Sequence, residues 1–355
     1  MEQLQWWLES LKGWSYVTYE ILVQKLQSRH LKSPLPLPPL GDVTCVVTGS
    51  TSGIGLEIAK QLAVSRAHVV MAVRNKSAAY DLIKKWQQEY NHLSIEVMEL
   101  NLLSLKSVVN FAEAWKTRSK PLQVLINNAG IYSIAEPIKI SKDGYETHNQ
   151  VNHLGPALLS ILLLPSLAKG SPSRIINVNS IMHSMGVLDP NDLNFTSGRH
   201  KFSSAKAYAN SKLAEVMFSG VLQQRIPQEV GISVVCVSPG SVRTNVARDL
   251  PKRLQAAYHL IPFFLFSPQE GARSALYAAT DPQIPDYCNA LRTKGWPVCA
   301  YVSCNCRIVN ASRKAENFTI AEKVWENSLE MIGLPVDAVD KILQGKEVKC
   351  QFQDD

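Results

Sequence analysis

Six short runs rich in apolar and β-branched residues, at 44–48, 68–73, 94–100, 122–126, 174–178 and 232–237, are separated by stretches with helical periodicity. Alternation of this kind predicts strands joined by helical crossovers, and hence a parallel sheet covered on both faces. The expected fold is a doubly wound α/β domain over residues 42–335. With 355 residues, 46% of them hydrophobic, the chain can bury a core of that size.

The flanks read differently. Residues 1–31 place Trp6, Trp7, Trp14, Ile21 and Leu22 among charged residues, with no apolar run of the ~20 residues that span a bilayer. They also lack the basic start and unbroken apolar core of a cleaved signal. Two readings stay open: an amphipathic helix lying in a membrane interface, or one packed on its own domain or a partner. Residues 32–41, with four prolines, read as a stiff extended linker, and 336–355 as a polar tail. The net charge of +7 is spread along the chain without a basic block, which argues against nucleic-acid binding. Seven cysteines, odd in number and unevenly spaced, do not make a secreted disulfide framework and point to a reducing, intracellular setting. A cytoplasmic protein, peripheral on a membrane of the endoplasmic-reticulum type, fits that reading.

Chemistry begins where the first run enters Thr48-Gly-Ser-Thr-Ser-Gly-Ile-Gly55 and a helix follows. Glycines between a first strand and a first helix let backbone N–H groups approach a pyrophosphate at the positive end of the helix. Gly49, Ser50, Ser52, Gly53, Ile54 and Gly55 are therefore candidate dinucleotide contacts. The spacing G-x-x-x-G-x-G differs from the common G-x-G-x-x-G. At the end of the second run, where an NAD site would place an acidic residue against the ribose, stands Arg74, followed by Asn75. Arginine can pair with a 2′-phosphate, so NADP is preferred and NAD is the alternative. The bland reading is a solvated Arg74, with the ribose held by backbone or Asn75.

Further along, Asn127-Asn-Ala-Gly130 closes the fourth run, with Asn128, Ala129 and Gly130 set for close approach of a cofactor. Tyr208 and Lys212 are four apart in a helical stretch and share a face. A phenol titrates near ~10 in water, and an adjacent ammonium is expected to lower that value, giving a general base. A half-buried tyrosine beside a snorkelling lysine is the alternative.

Taken together, the glycine turn, Asn127-Asn-Ala-Gly130, Ser180 and Tyr208-x-x-x-Lys212, in order at the ends of their elements, resemble the short-chain dehydrogenase/reductase family. The resemblance spans about 42–333 and is nearest to its retinol-dehydrogenase and WW-domain-oxidoreductase branch. It implies a Rossmann fold and an NAD(P)-dependent enzyme acting on CH–OH groups. Tyr208 would be the acid/base, Lys212 the residue holding the nicotinamide ribose, and Ser180 the one orienting the substrate oxygen. Asn152 would brace a proton-relay water. Asn101 and Leu102 would lie by the adenine, and Pro239, Gly240, Val242 and Thr244 would close over nicotinamide and pyrophosphate.

Three features depart from the family pattern. Asn101 replaces an Asp, and Asn179 replaces a small residue before Ser180, as support or merely as a turn. A longer segment than usual, 182–203, precedes Tyr208 and suggests a substrate-side insertion. Residues 250–266, with Phe263, Phe264 and Phe266, are either a helix-packing stretch or an apolar lid. Together with residues 1–31, the lid reading suggests a lipid-like substrate such as a retinoid, isoprenoid or steroid. Residues 158–167 read as core or a homodimer face. Cys304 and Cys306 alternate on what reads as the last strand, as structural cysteines rather than zinc ligands. The rivals are a catalytically silent dinucleotide-binding scaffold or signalling module at a membrane, and a membrane tether working through residues 1–31.

Overall fold

The computed structural model describes residues 2–133, 136–197, 202–243, 264–297 and 299–353, with only the backbone described at 2–12 and 14. The sheet is built from β1 (Thr44–Thr48), β2 (His68–Val73), β3 (Ser94–Glu99), β4 (Val124–Asn127), β5 (Ser173–Val178), β6 (Ile232–Val237), β7 (Ala300–Val302) and β8 (Ile308–Val309). Their order is β3-β2-β1-β4-β5-β6-β7-β8, and all neighbours are parallel except β7 and β8. Successive residues face opposite ways, so Val46 and Val70 join one core while Cys45, Val47, Val69 and Met71 join the other. Burial on both faces explains why these strands read as continuous apolar runs. The doubly wound α/β expectation holds.

One layer contains α2 (Gly53–Val64) and α3 (Lys76–Glu89). The other contains α4 (Leu105–Lys116), α5 (Thr147–Asn149), α6 (Gly155–Leu162), α7 (Leu164–Lys169) and α8 (Ser204–Arg225). Between α5 and α6 the helix widens into a π-turn, Gln150–Leu154, which carries Asn152. The segment 158–167, read as core or a dimer face, is core: Leu158, Leu159, Ile161, Leu164 and Leu167 are fully buried.

Several boundaries differ from expectation. Cys304 and Cys306 are not on a strand but in the turn between β7 and β8, where Cys306 has φ +58°. Ahead of β7, α10 (Ile284–Lys294) follows α9 (Pro268–Thr280) and buries Ile284 and Cys288. Beyond α11 (Phe318–Met331), the tail forms α12 (Ala338–Leu343) and buries Ala338, Val339 and Cys350 against the core. A few buried residues spaced among polar ones left no clear period to read.

The N-terminal segment is a single helix, α1 (Glu2–Gln27), whose second half docks on the domain. Val17, Gln24 and Ser28 are buried, and Lys25 pairs with Glu270 at 3.0 Å. Tyr19, Leu22 and Leu26, on another face, are exposed. No helix among the described residues is long and apolar enough to cross a membrane.

Candidate active site

The carboxyl ends of β1, β4, β5 and β6 open on one edge of the sheet, and β1 and β4 flank the point where strand order reverses. There the two glycine-containing turns lock together. Thr48 Oγ1 accepts hydrogen bonds from the N–H groups of Asn128 and Ala129, both at 3.0 Å, and Asn128 Nδ2 donates to Thr48 O at 3.0 Å. Gly49 has φ +66°, and a Cβ there would lie 2.9 Å from the Ala129 backbone. At Gly55 it would lie 2.5 Å from Gly49 O. No larger residue fits either position without moving the backbone.

This cradle suits a dinucleotide pyrophosphate on grounds of the residues present. Ser50 Oγ is buried without a partner, and the Ser52 side chain starts α2 without capping it. Ser52, as the residue before the first turn, sits by the N–H groups at the positive end of the helix. Gly53 and Ile54 are half-buried at its first turn, and Gly130 is exposed at the end of β4. Arg74 is exposed at the end of β2, while the Asn75 side chain caps α3 by accepting from Ala78 N.

Asn101 and Leu102, the two positions expected beside the adenine, are engaged locally. Asn101 Oδ1 accepts from Leu103 N at 3.2 Å, and Leu102 is buried in the core beside Gly155. Only the Leu102 backbone can face a ligand. Pro239 and Val242 are likewise buried, and Thr244 lies outside the described residues. So do residues 250–263 of the segment read as a lid, although Phe264, Leu265 and Phe266 are described and Phe266 is fully buried.

Around β5 and α8 the remaining residues converge. Tyr208 is half-buried, its ring 4.2 Å from that of Tyr132 and edge-on to His148 at 6.3 Å. His148 is fixed in turn: its Nδ1 lies 2.8 Å from Glu146 Oε1, and its Nε2 accepts from Ser133 N at 3.1 Å. Asn152 Oδ1 accepts from Ile131 N at 2.8 Å, while Nδ2 donates to Ile131 O and Ser211 Oγ. Its amide therefore braces the end of β4 against α8. Ser180 Oγ accepts from Met182 N at 3.2 Å and keeps its own proton to donate.

Lys212 is buried and donates to Val178 O at 2.8 Å and Glu215 Oε2 at 3.0 Å. Burial pushes the Glu215 carboxyl up, and Lys212 and Asn179 pull it back. Asn179 is no idle turn residue: Nδ2 donates to Lys212 O and Glu215 Oε2, and Oδ1 accepts from Ser180 N. It ties three site residues together. Glu215 was missed in the sequence, although Lys212-x-x-Glu215 in an apolar helix is a readable spacing.

Beside the Ser180 turn lies a cavity of about 170 Å³ between α1 and the ends of β6 and β7, lined by Tyr16, Glu20, Gln24, His183, Ser241 and Tyr301 among others. His183 Nε2 accepts from Ser312 N at 3.0 Å, so Nδ1 carries the proton and donates to Ser180 O at 2.7 Å. Burial lowers His183 to about 4 from an ordinary 6.5. A histidine that resists protonation when folded contributes stability that is present above 6.5 and lost as pH falls toward 4. The loss should be on the order of 3 kcal/mol by pH 4. Urea unfolding at pH 7, 5.5 and 4.5 should show that decline and a shallower one in His183→Gln. Equal slopes would remove His183 as the cause.

The model of the short chain dehydrogenase family matches residues 43–189. The chain is 57% identical over 98% of its length, and 93% of the relative's, to the Arabidopsis thaliana dehydrogenase/reductase SDR family member FEY. It is 34% identical to human retinol dehydrogenase 11 over 82% of this chain and 86% of that one. A crystal structure of an uncharacterised Mycobacterium paratuberculosis protein superposes with a TM-score of 0.65 at 30% identity, covering 84% of this chain and 97% of that one. Joined to the glycine cradle and the Ser180, Tyr208 and Lys212 grouping, these likenesses mean that the chain belongs to the short-chain dehydrogenase/reductase family of NAD(P)-dependent oxidoreductases.

Proposed function

We propose that the chain transfers hydride between NADP and an apolar alcohol or carbonyl, with Tyr208 as acid/base. The observation that carries this is the meeting of Ser180, Tyr208, Lys212 and Asn152 at one end of β5 and α8, beside the cradle at β1. The nicotinamide supplies or accepts the hydride. Tyr208 Oη takes the alcohol proton or returns it to the carbonyl oxygen. The Ser180 hydroxyl donates to that oxygen as charge develops on it. Lys212 would hold the nicotinamide ribose, and Asn152, which ties the β4 end to α8, would brace a relay water. Gly49, Ser50, Ser52, Gly53, Ile54 and Gly55 take the pyrophosphate, with Asn128, Ala129 and Gly130 alongside. Asn101 and the Leu102 backbone take the adenine. Pro239, Gly240, Val242 and Thr244 are assigned to the nicotinamide side.

Preference for NADP rests on Arg74, exposed where a 2′-phosphate would arrive. Arg74→Ala should raise KM for NADPH about 10–100-fold, the worth of a charge-assisted pair, and change KM for NADH little. Equal changes for both cofactors would favour the solvated reading of Arg74.

The lipid-like substrate and peripheral membrane contact rest on α1. Tyr19, Leu22 and Leu26 are three and four apart, share one face, and are exposed on the side away from the buried Gln24 and Ser28. Human proteins named retinol dehydrogenase 11 and polyprenol dehydrogenase are 34% and 33% identical to the chain. The deciding experiment follows NADPH and NADH absorbance with purified protein against retinoid, isoprenoid, steroid and short-chain carbonyls, with and without vesicles. Preference for long apolar substrates supports the reading. Cofactor binding without turnover on any of them would favour a silent scaffold.

A further inference from the structure

We infer that α1 is a working part of the active site, in which Gln24 is a positioning residue holding the turn at 238–241 in the shape that receives the nicotinamide half of the cofactor. The inference rests on the oxidoreductase reading above and adds a residue to it.

Gln24 is 2% exposed and spends its amide on the far end of the chain. Its Oε1 accepts from Ser241 N at 2.9 Å, and its Nε2 donates to Ser241 O at 3.0 Å and to Phe264 O at 2.6 Å. Since Ser241 N can only donate and the two carbonyls can only accept, the amide has one orientation. It pairs with the Ser241 peptide in both directions, as a neighbouring strand would. Gly240, next to it, has φ +76°, and a Cβ there would meet Gln24 Oε1 at 2.6 Å and the Phe266 ring at 2.9 Å. On the other side Val242 packs against Phe266 and Ile54, the residue between the glycines of the cradle. The turn thus stands between α1 and the dinucleotide cradle, at the carboxyl end of β6 where ligands of such sheets bind.

Docking of α1 does not call for this amide. Val17 is buried, and Lys25 reaches Glu270, without touching the turn. A buried amide is costly unless bonded, and an apolar residue would suffice if adhesion were the only task. What Gln24 adds is a fixed conformation for Ser241 and for Phe264, at either end of the segment that follows the turn.

The test uses full-length protein and the variants Gln24→Ala, Gln24→Leu and Lys25→Met. Each is titrated with NADPH and with adenosine 2′,5′-bisphosphate, which has the nucleotide half and no nicotinamide. NADH and ADP-ribose take their place if the wild type prefers NAD. Both Gln24 variants should bind NADPH about tenfold more weakly, bind the bisphosphate within about twofold of wild type, and exchange the Ser241 amide proton faster. Lys25→Met should change none of these. Equal weakening of both ligands, the same loss in Lys25→Met, or unchanged NADPH affinity would overturn the inference. A wild type that binds neither dinucleotide defeats the oxidoreductase reading itself, before any variant is compared.

Discussion

Tyr208→Phe should lower kcat by about 10²–10⁴-fold, the range for loss of a positioned general acid/base, while cofactor affinity stays near that of the wild type. The substitution removes one hydroxyl and keeps the ring in its place between Tyr132 and His148. Tyr132 cannot take over as base, because burial pushes its phenol far up and the nearby Tyr208 adds to the effect. Steady-state turnover with the best substrate, beside a titration of the reduced cofactor, separates chemistry from binding. A variant that keeps more than about a tenth of the wild-type kcat would move the acid/base role elsewhere.

Glu215→Leu should destabilise the fold by about 3–5 kcal/mol, the cost of leaving one member of a buried ion pair alone. Side chains of Lys212 and Glu215 are 6% and 4% exposed, and the change leaves the ammonium with Val178 O as its only remaining acceptor among the described residues. It also takes an acceptor from Asn179, which holds Ser180. Glu215→Gln, whose amide oxygen can still accept, should lose less. The double variant Lys212→Met/Glu215→Leu should recover part of the loss, because no unpaired charge stays buried. Urea midpoints of the four proteins decide this. A Glu215→Leu protein within about 1 kcal/mol of wild type would mean that Lys212 finds water or another acceptor.

Both predictions depend on α8, which shows how unevenly this site could be read beforehand. Tyr208 and Lys212 were legible because four residues make about one helical turn, so spacing alone puts them on one face. The glycine turn was legible for a similar reason: its residues are contiguous, and their meaning follows from the strand before and the helix after. Glu215 is only three residues beyond Lys212, yet nothing in the local pattern shows whether its carboxylate turns inward or to solvent. That depends on Asn179, which arrives from β5.

Edges were harder than the centre. β1, β2, β4, β5 and β6 are buried on both faces and left unmistakable apolar runs, whereas β8 has two residues, one of them exposed. Cys304 and Cys306 mimicked a strand because a tight turn can also alternate apolar and polar residues. The last twenty residues seemed polar because their few buried groups, Ala338, Val339 and Cys350, carry no period.

By itself, then, the sequence determined the parallel α/β layout and the family, since both rest on patterns that repeat within a few residues or follow chain order. Tertiary structure decided which face of α1 is buried, what partners Lys212 takes, and where Gln24 spends its amide. Gln24 and Ser241 lie 217 residues apart, and their hydrogen bonds exist only because strand order brings the end of β6 beneath α1. A contact of that separation is a property of the whole topology, and no local spacing encodes it.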